Sequence, residues 1–411
     1  MKNNNCTKLF SLGSLYVSDF TKSGVSPSKG SADLSLVMEN DTKAVRLTNT
    51  VDPDLMYGEY WYRSGINATM NNELKSIAED CMRSVSVNDG DVWVDIACND
   101  GTMFKHIPSS IKKVGIDPAD DTYTNESSQY ADLIIQDFFS ASTYNNSKFG
   151  GKKAKIVTTI AMFYDIENPL DFLKDVEQIL DDEGLFVMQM SYTPLMVKQL
   201  AFDNICHEHV YYYTLGSLKS FIDKTNLEIV DCKLNDINGG SFRIYMRKAN
   251  ADKTKFRTSP YRDVADFRVQ SILKYEAHEG FDTAAPYLSF FDRICSLKDE
   301  TVSFIKSEKQ KGKRIWGYGA STKGNTLLQW YGLDDTLIDA IAERNPSKFG
   351  LKTVGTNIPI RSEDDMREEN PDYLLVLPWH FISEFTEREK QYLSSGGKFI
   401  VPCPKFEIIG K

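Results

Sequence analysis

The feature that most limits what this chain can fold into is the alternation of short apolar runs with amphipathic stretches between residues 71 and 248. NNELKSIAEDCMRSVSV carries apolar residues at helical spacing. VWVDIA, KKVGID, ADLIIQDF, AKIVTTIAMF and GLFVMQMSY are runs of strand length, separated by helical pieces such as PLDFLKDVEQILDD, and GSFRIYMRK closes the series. Alternation of this kind predicts a parallel, doubly wound sheet. A second α/β unit begins at Arg314, with RIWGYGA, TLIDAIAE, DYLLVLPW and KFIVPCP as strands and STKGNTLLQWYG as a helix. Residues 251–310 read as charged helices joined in a hairpin, and residues 1–75 as short mixed segments rich in Ser, Asn, Asp and Gly. The expected organisation is a small N-terminal domain (1–75), a central α/β domain (76–250), a helical connector (251–310) and a C-terminal Rossmann-like domain (311–411).

Within the first unit, VWVDIACNDGTMFKHI is a buried strand entering a tight turn and then a helix. Asp95 stands at the strand end, and Gly101 is expected to let the backbone approach a ligand where a side chain would block it. The next strand ends in Asp117, where a carboxylate can accept hydrogen bonds from two ribose hydroxyls, following the rule that open α/β sheets bind ligands at the carboxyl ends of their strands. The turn is not GxGxxG, which argues against a pyrophosphate against bare backbone. It resembles the first motif of class I methyltransferases in an Asn-Asp-Gly form, which implies S-adenosylmethionine as cofactor. Asp137 and Phe138 stand where that class holds the adenine, and Ala97, Asn99 and Ala161 join Asp95, Gly101 and Asp117 as expected cofactor contacts.

FDNICHEHVYYY holds two of the five histidines. In an extended segment His207 and His209 point one way and Glu208 the other. A neutral imidazole is well matched to general-base work near pH 7. The same residues also fit a structural pair or, with a third ligand, a metal site. In GYGASTKGNT a helix start follows a strand, and free N–H groups with the helix dipole favour an anion there. Ser321 and Thr322 add donors and Lys323 a positive charge, so a diphosphate fits. Asn325 is placed with them, and Trp379 either stacks on a base or fills a core.

Charge and composition narrow the partners. A formal charge of -10 opposes binding to phosphate backbones, so nucleic acid is not an expected partner. No apolar run approaches the ~20 residues that span a bilayer, and the polar start MKNNNCTKLFSLGSLYVSDF lacks the apolar core of an export signal. With seven scattered cysteines and no CxxC, reduced thiols and a cytoplasmic location are expected.

Taken in order, YGEYWYRSG at 57–65, DIACNDGT, DNICHEHVYYY, NGGSFRIY at 238–245, GYGASTKGNT, NPSKFG, VGTNIPI, LPWHF and GGKFIVPCP resemble the sugar C-methyltransferases that act on nucleotide-linked 4-keto-6-deoxyhexoses. The resemblance implies a small N-terminal domain, a class I methyltransferase sheet and a Rossmann-like C-terminal domain that helps hold a nucleotide sugar. It implies that His209 is the base, with Glu208, His207 and Tyr62 at the reacting sugar, and a monomer or weak homo-oligomer. Two departures stand out. Members commonly bind a structural zinc through four N-terminal cysteines, whereas this chain has only Cys6 before residue 81, so no zinc is expected. Many members also have Tyr just before HEH, where this chain has Cys206; Tyr62 and Tyr212 are candidates for that tyrosine's role. The competing functions are an O- or N-methyltransferase of another small molecule and a non-catalytic nucleotide-sugar-binding protein.

Overall fold

The computed structural model describes residues 5–57, 63–66, 68–256 and 262–410. Its centre is a seven-stranded sheet in the order Leu227–Asn235, Ser241–Lys248, Leu180–Ser191, Ala154–Ile160, Val92–Ile96, Lys112–Ile116, Leu133–Ile135. The five strands from Leu180–Ser191 to Leu133–Ile135 are parallel, and the other two run antiparallel at one edge. Every residue of Val92–Ile96 is buried, as a strand covered on both faces requires. Its two neighbours are reached in opposite directions along the sheet, so the crevice at its carboxyl end is a topological switch point, where such sheets bind ligands. The edge strand Leu227–Asn235 is absent from the sequence reading; its half-buried pattern lacks the continuous apolar run that marks the parallel strands.

Helix Ala68–Ser84 covers one face with Met70, Leu74, Ile77, Ala78 and Cys81, spaced by helical turns. An ion cluster around the buried Arg243 fixes it to the antiparallel edge. Arg243 donates to Glu73 and Asp80, both at 2.7 Å, and to Gln189 at 2.9 Å, while the Tyr245 hydroxyl donates to Asp80 at 2.7 Å. Burial alone would raise the Asp80 carboxyl, but hydrogen bonds from Tyr245 and Lys233 and the charges of Lys233 and Arg243 outweigh it and hold it at about 2.

The second sheet has the order Ile360–Ser362, Ile341–Glu343, Ile315–Tyr318, Tyr373–Val376, Lys398–Val401, Glu407–Ile409, parallel except for the last strand. Between the two sheets in the chain come helices Arg262–Glu279, which packs on the edge strand Leu227–Asn235, and Ala285–Gln310, which packs against helix Thr193–Lys198 and strand Cys6–Tyr16. The N-terminal region departs from the expected short mixed segments. Cys6–Tyr16 and Ser31–Glu39 are long antiparallel strands, and Leu34, Leu36 and Met38 alternate into the core. The period-two pattern sits among Ser and Asp residues, whose turn preference obscures it.

These units interlock. Tyr211–Tyr212, from just after HEH, joins the N-terminal sheet beside Val45–Leu47. Phe20–Thr21 pairs with Lys352–Thr353 of the C-terminal unit. One apolar core runs through Leu9, Leu34, Phe290, Ile294, Leu328 and Tyr331. Among the described residues no helix is long and apolar enough to cross a membrane.

The Arg243 cluster supplies the first test. Arg243→Leu leaves two half-buried carboxylates short of a partner and should lower stability by about 3–5 kcal/mol in urea denaturation at pH 7. Because the Asp80 pKa is depressed from 3.8 to about 2, its contribution in the parent is present above pH 4 and is lost as pH falls from 4 toward 2. A loss below ~1 kcal/mol, the range of exposed pairs, would mean that the cluster does not clamp the helix.

Candidate active site

A cavity of about 580 Å³ opens at the carboxyl ends of the central strands and is lined in part by the C-terminal unit. Asp95, Ala97, Asn99, Asp117, Phe138 and Ala161 line it on the central side; Glu208 and His209 form part of the wall; Ser321, Thr322, Lys323, Pro378, His380 and Phe381 come from the C-terminal unit.

The strand ends are conformationally unusual. Ala97, Asn99 and Ala161 have φ of 60°, 51° and 56°, a left-handed region that residues with a Cβ enter at a cost. The Ala97 N–H donates to the Ile116 carbonyl at 2.8 Å, and the Ala161 N–H to that of Gln189 at 2.7 Å, which hold the two turns. Asp117 accepts from Asn99 N–H at 2.7 Å through one carboxylate oxygen and from Ala119 N–H at 2.9 Å through the other. Each oxygen keeps a lone pair, so the carboxylate is fixed and still able to take two hydroxyls. Asp95 accepts from Thr158 Oγ1 at 2.6 Å, and burial pushes its carboxyl up to about 7. Five residues with carboxyl side chains line the cavity, Asp95, Asp117, Asp165, Glu167 and Glu208. That donor set suits a cationic ligand bearing vicinal hydroxyls, as the sulfonium and ribose of S-adenosylmethionine provide.

Gly101 is a different matter from the expectation. It does not line the cavity; a Cβ there would lie 2.7 Å from Ser127 Cα, at a φ of 72°. Its glycine serves helix packing, not ligand approach. Asp137 is exposed and also off the cavity, its carboxylate accepting from Phe138 N–H.

The HEH segment is a turn and not an extended strand, closed by His209 N–H donating to the Cys206 carbonyl at 3.2 Å. The two imidazoles therefore diverge. His207 leaves the cavity, and its Nε2 lies 3.0 Å from the Ala32 carbonyl in the N-terminal sheet. His209 stays on it, with Nδ1 2.7 Å from the Asn204 carbonyl. A carbonyl only accepts, so Nδ1 carries the proton and Nε2 the lone pair. Burial, with the charge of Lys323 added, depresses the His209 pKa from 6.5 to about 3, so the ring is neutral at physiological pH. Tyr164, which the sequence reading did not single out, stacks obliquely on His209 with ring centroids 4.2 Å apart and lines the cavity as well.

Of the other expected residues, Tyr212 is buried and faces a void of about 10 Å³ behind His209 instead of the main cavity. Asn325 is turned to the N-terminal strap, donating to Ser18 Oγ and the Asp19 carbonyl, both at 3.0 Å. Trp379 is packed away and donates to Asp203 at 3.1 Å; its neighbour His380 faces the cavity. Tyr62 lies outside the described residues. Cys206, Glu208 and His209 bring ligand atoms within 4.8 Å of one another, a grouping different from the His207–His209 pair considered from sequence.

Residues 70–231 match a family model described as a methyltransferase domain, and residues 236–404 match one described as a C-methyltransferase C-terminal domain. The chain is similar to the C-methyltransferase NovU of Streptomyces niveus, 28% identical over 366 residues that cover 88% of this chain and 84% of that protein. Among solved structures, an S-adenosylmethionine-dependent methyltransferase from Clostridium acetobutylicum overlaps 43% of this chain and 92% of its own, with a TM-score of 0.33 and 13% identity. The plantazolicin methyltransferase BpumL overlaps 45% and 87%, with a TM-score of 0.36 and 12% identity.

The His209 geometry is testable by imidazole 15N NMR, with His209→Asn identifying the signal. Nδ1 should remain protonated and Nε2 unprotonated as pH falls from 8 to 5, because a depressed pKa keeps the neutral ring until far lower pH. Protonation with a midpoint near 6.5 would show an ordinarily hydrated imidazole.

Proposed function

Because the chain is an S-adenosylmethionine-dependent methyltransferase, we propose that it methylates a carbon of a nucleotide-linked keto-deoxysugar, with His209 as the general base. The observation that carries this reading is the Asn204 carbonyl holding Nδ1–H of a neutral His209 on the wall of the cavity. Carbon is a poor nucleophile unless a neighbouring ketone acidifies its C–H, so a C-methyltransferase needs a base where the proton leaves. When bound, S-adenosylmethionine supplies an electrophilic methyl group; the chain supplies orientation and proton transfer.

Asp117 is placed to hold a ribose, and Asp95 and the left-handed turns at Ala97 and Ala161 to shape the cofactor side. Nε2 of His209 takes the proton from the carbon beside the ketone, leaving an enolate. Its Nδ1–H remains on the Asn204 carbonyl, which steadies the imidazolium and fixes the ring's direction. Glu208, on the cavity beside it and held toward its neutral form by burial, can donate a hydrogen bond to a sugar oxygen. Ile160, Met162, Ile166 and Phe172 add apolar surface to the cavity wall, which lowers the dielectric around the proton transfer. Ser321, Thr322 and Lys323 line the cavity from the C-terminal unit, which supports the nucleotide sugar lying on that side.

Incubation of the protein with S-adenosylmethionine and a panel of nucleoside-diphosphate-linked 4-keto-6-deoxyhexoses should give a product heavier by one methyl group. His209→Asn should cut turnover by ~10²–10⁴ with S-adenosylmethionine affinity unchanged. His207→Asn should have a much smaller effect, since that ring is directed at Ala32. Near-normal turnover in His209→Asn would remove this residue from the chemistry.

A further inference from the structure

Lys323 stands apart from everything else in the cavity wall. It is the single Lys or Arg among the described residues that line it, in a wall that holds five residues with carboxyl side chains. Its Nζ donates to Asn204 Oδ1 at 2.6 Å. The backbone carbonyl of the same Asn204 receives Nδ1 of His209 at 2.7 Å. One residue thus anchors both the ammonium and the imidazole through its two carbonyl oxygens. Asn204 is itself fixed, its Nδ2 donating to the Ala201 carbonyl at 3.1 Å. An ammonium has three N–H donors, so two remain for a ligand.

This placement differs from that of a diphosphate clamp. The helix start at Thr322–Tyr331 is already capped, Ser321 Oγ accepting from Gly324 N–H at 3.0 Å, and the Thr322 carbonyl is taken by Ser18 Oγ at 2.8 Å. Lys323 reaches away from that helix start to the turn that carries the base. From the carbon-methylation reading above, on which this inference rests, we propose that Lys323 is a catalytic residue that pairs with the substrate's ketone oxygen and stabilises the enolate formed when His209 removes the adjacent proton. The step balances within the site. The C–H bond breaks, the proton passes to Nε2 of His209, and the electron pair of that bond becomes the enolate π system with negative charge on oxygen. The ammonium transfers no proton. By itself a cation so near would oppose formation of an imidazolium. The same transfer creates a negative oxygen, so the net charge of the cavity is unchanged and the ammonium gains an anion as the cation appears. A donor fixed in advance at the point where charge develops stabilises the transition state more than the ground state.

The test separates enolate formation from both binding and methyl transfer. In D2O without S-adenosylmethionine, the parent should exchange deuterium into the carbon beside the ketone of a nucleoside-diphosphate-linked 4-keto-6-deoxyhexose. Lys323→Met should lower the exchange rate at saturating sugar by ~10²–10³, the usual worth of one oxyanion donor. Its S-adenosylmethionine affinity by calorimetry should match the parent's, which also reports a folded variant. Lys323→Arg keeps the charge and should retain more exchange than Lys323→Met. A Lys323→Met protein with parental exchange at saturation and only a raised KM would overturn the proposal and leave Lys323 as a binding group. Equal loss in both variants with intact cofactor binding would also overturn it, since the charge would not be what matters. If the parent itself shows no exchange with any sugar of the panel, the carbon-methylation reading fails first and this inference with it.

Discussion

Three consecutive residues, Phe202, Asp203 and Asn204, tie the halves of the molecule together. The Phe202 ring stacks on Tyr331 at 5.2 Å and meets Trp330 at 4.8 Å. Asp203 receives the Trp379 indole, and Asn204 the Lys323 ammonium. All four partners belong to the C-terminal unit, while the turn itself follows the last parallel strand of the central sheet by a short helix, Thr193–Lys198. The Asn204 carbonyl then fixes His209. Position of the proposed base, the C-terminal lining of the cavity and docking of the second sheet are therefore one constraint. A change that loosens the turn would alter all three together, because side chains that share partners do not contribute independently.

The N-terminal region reinforces the same arrangement from outside. Ser18 and Asp19 bind Thr322 and Asn325, Gln329 Nε2 and Oε1 both meet the Tyr16 backbone, and His207 reaches Ala32. The helix that presents Lys323 is thereby held on one side by the N-terminal strap and on the other by the central turn. Such packing suits chemistry in which a proton and a charge must be handled by groups fixed before the substrate arrives.

Much of this was legible from residue order. The alternating runs mark the two sheets, and the strand-end carboxylates Asp95 and Asp117 lie on the cavity, because backbone topology alone takes strand ends there. What failed depended mostly on contacts distant in sequence, and in one case on a local turn. Gly101 reads as a ligand-approach glycine until Ser127 is seen against it. The HEH segment reads as extended because alternation says nothing of a hydrogen bond closing a turn from Cys206 to His209. Trp379 and Asn325 look available for a ligand, but Asp203 and Ser18, 176 and 307 residues away, already hold them. Tyr164 carries no motif around it; only its ring against His209 draws attention to it.

The chemistry proposed for this site delivers the methyl group to carbon. S-adenosylmethionine labelled with 13C in the methyl group, used with a uniformly 13C-labelled nucleotide sugar, tests this most directly by NMR of the product. The expected product shows a methyl carbon with one-bond coupling to a sugar carbon next to the ketone. A methyl signal without that coupling, at the shift of an oxygen- or nitrogen-bound methyl, would contradict it.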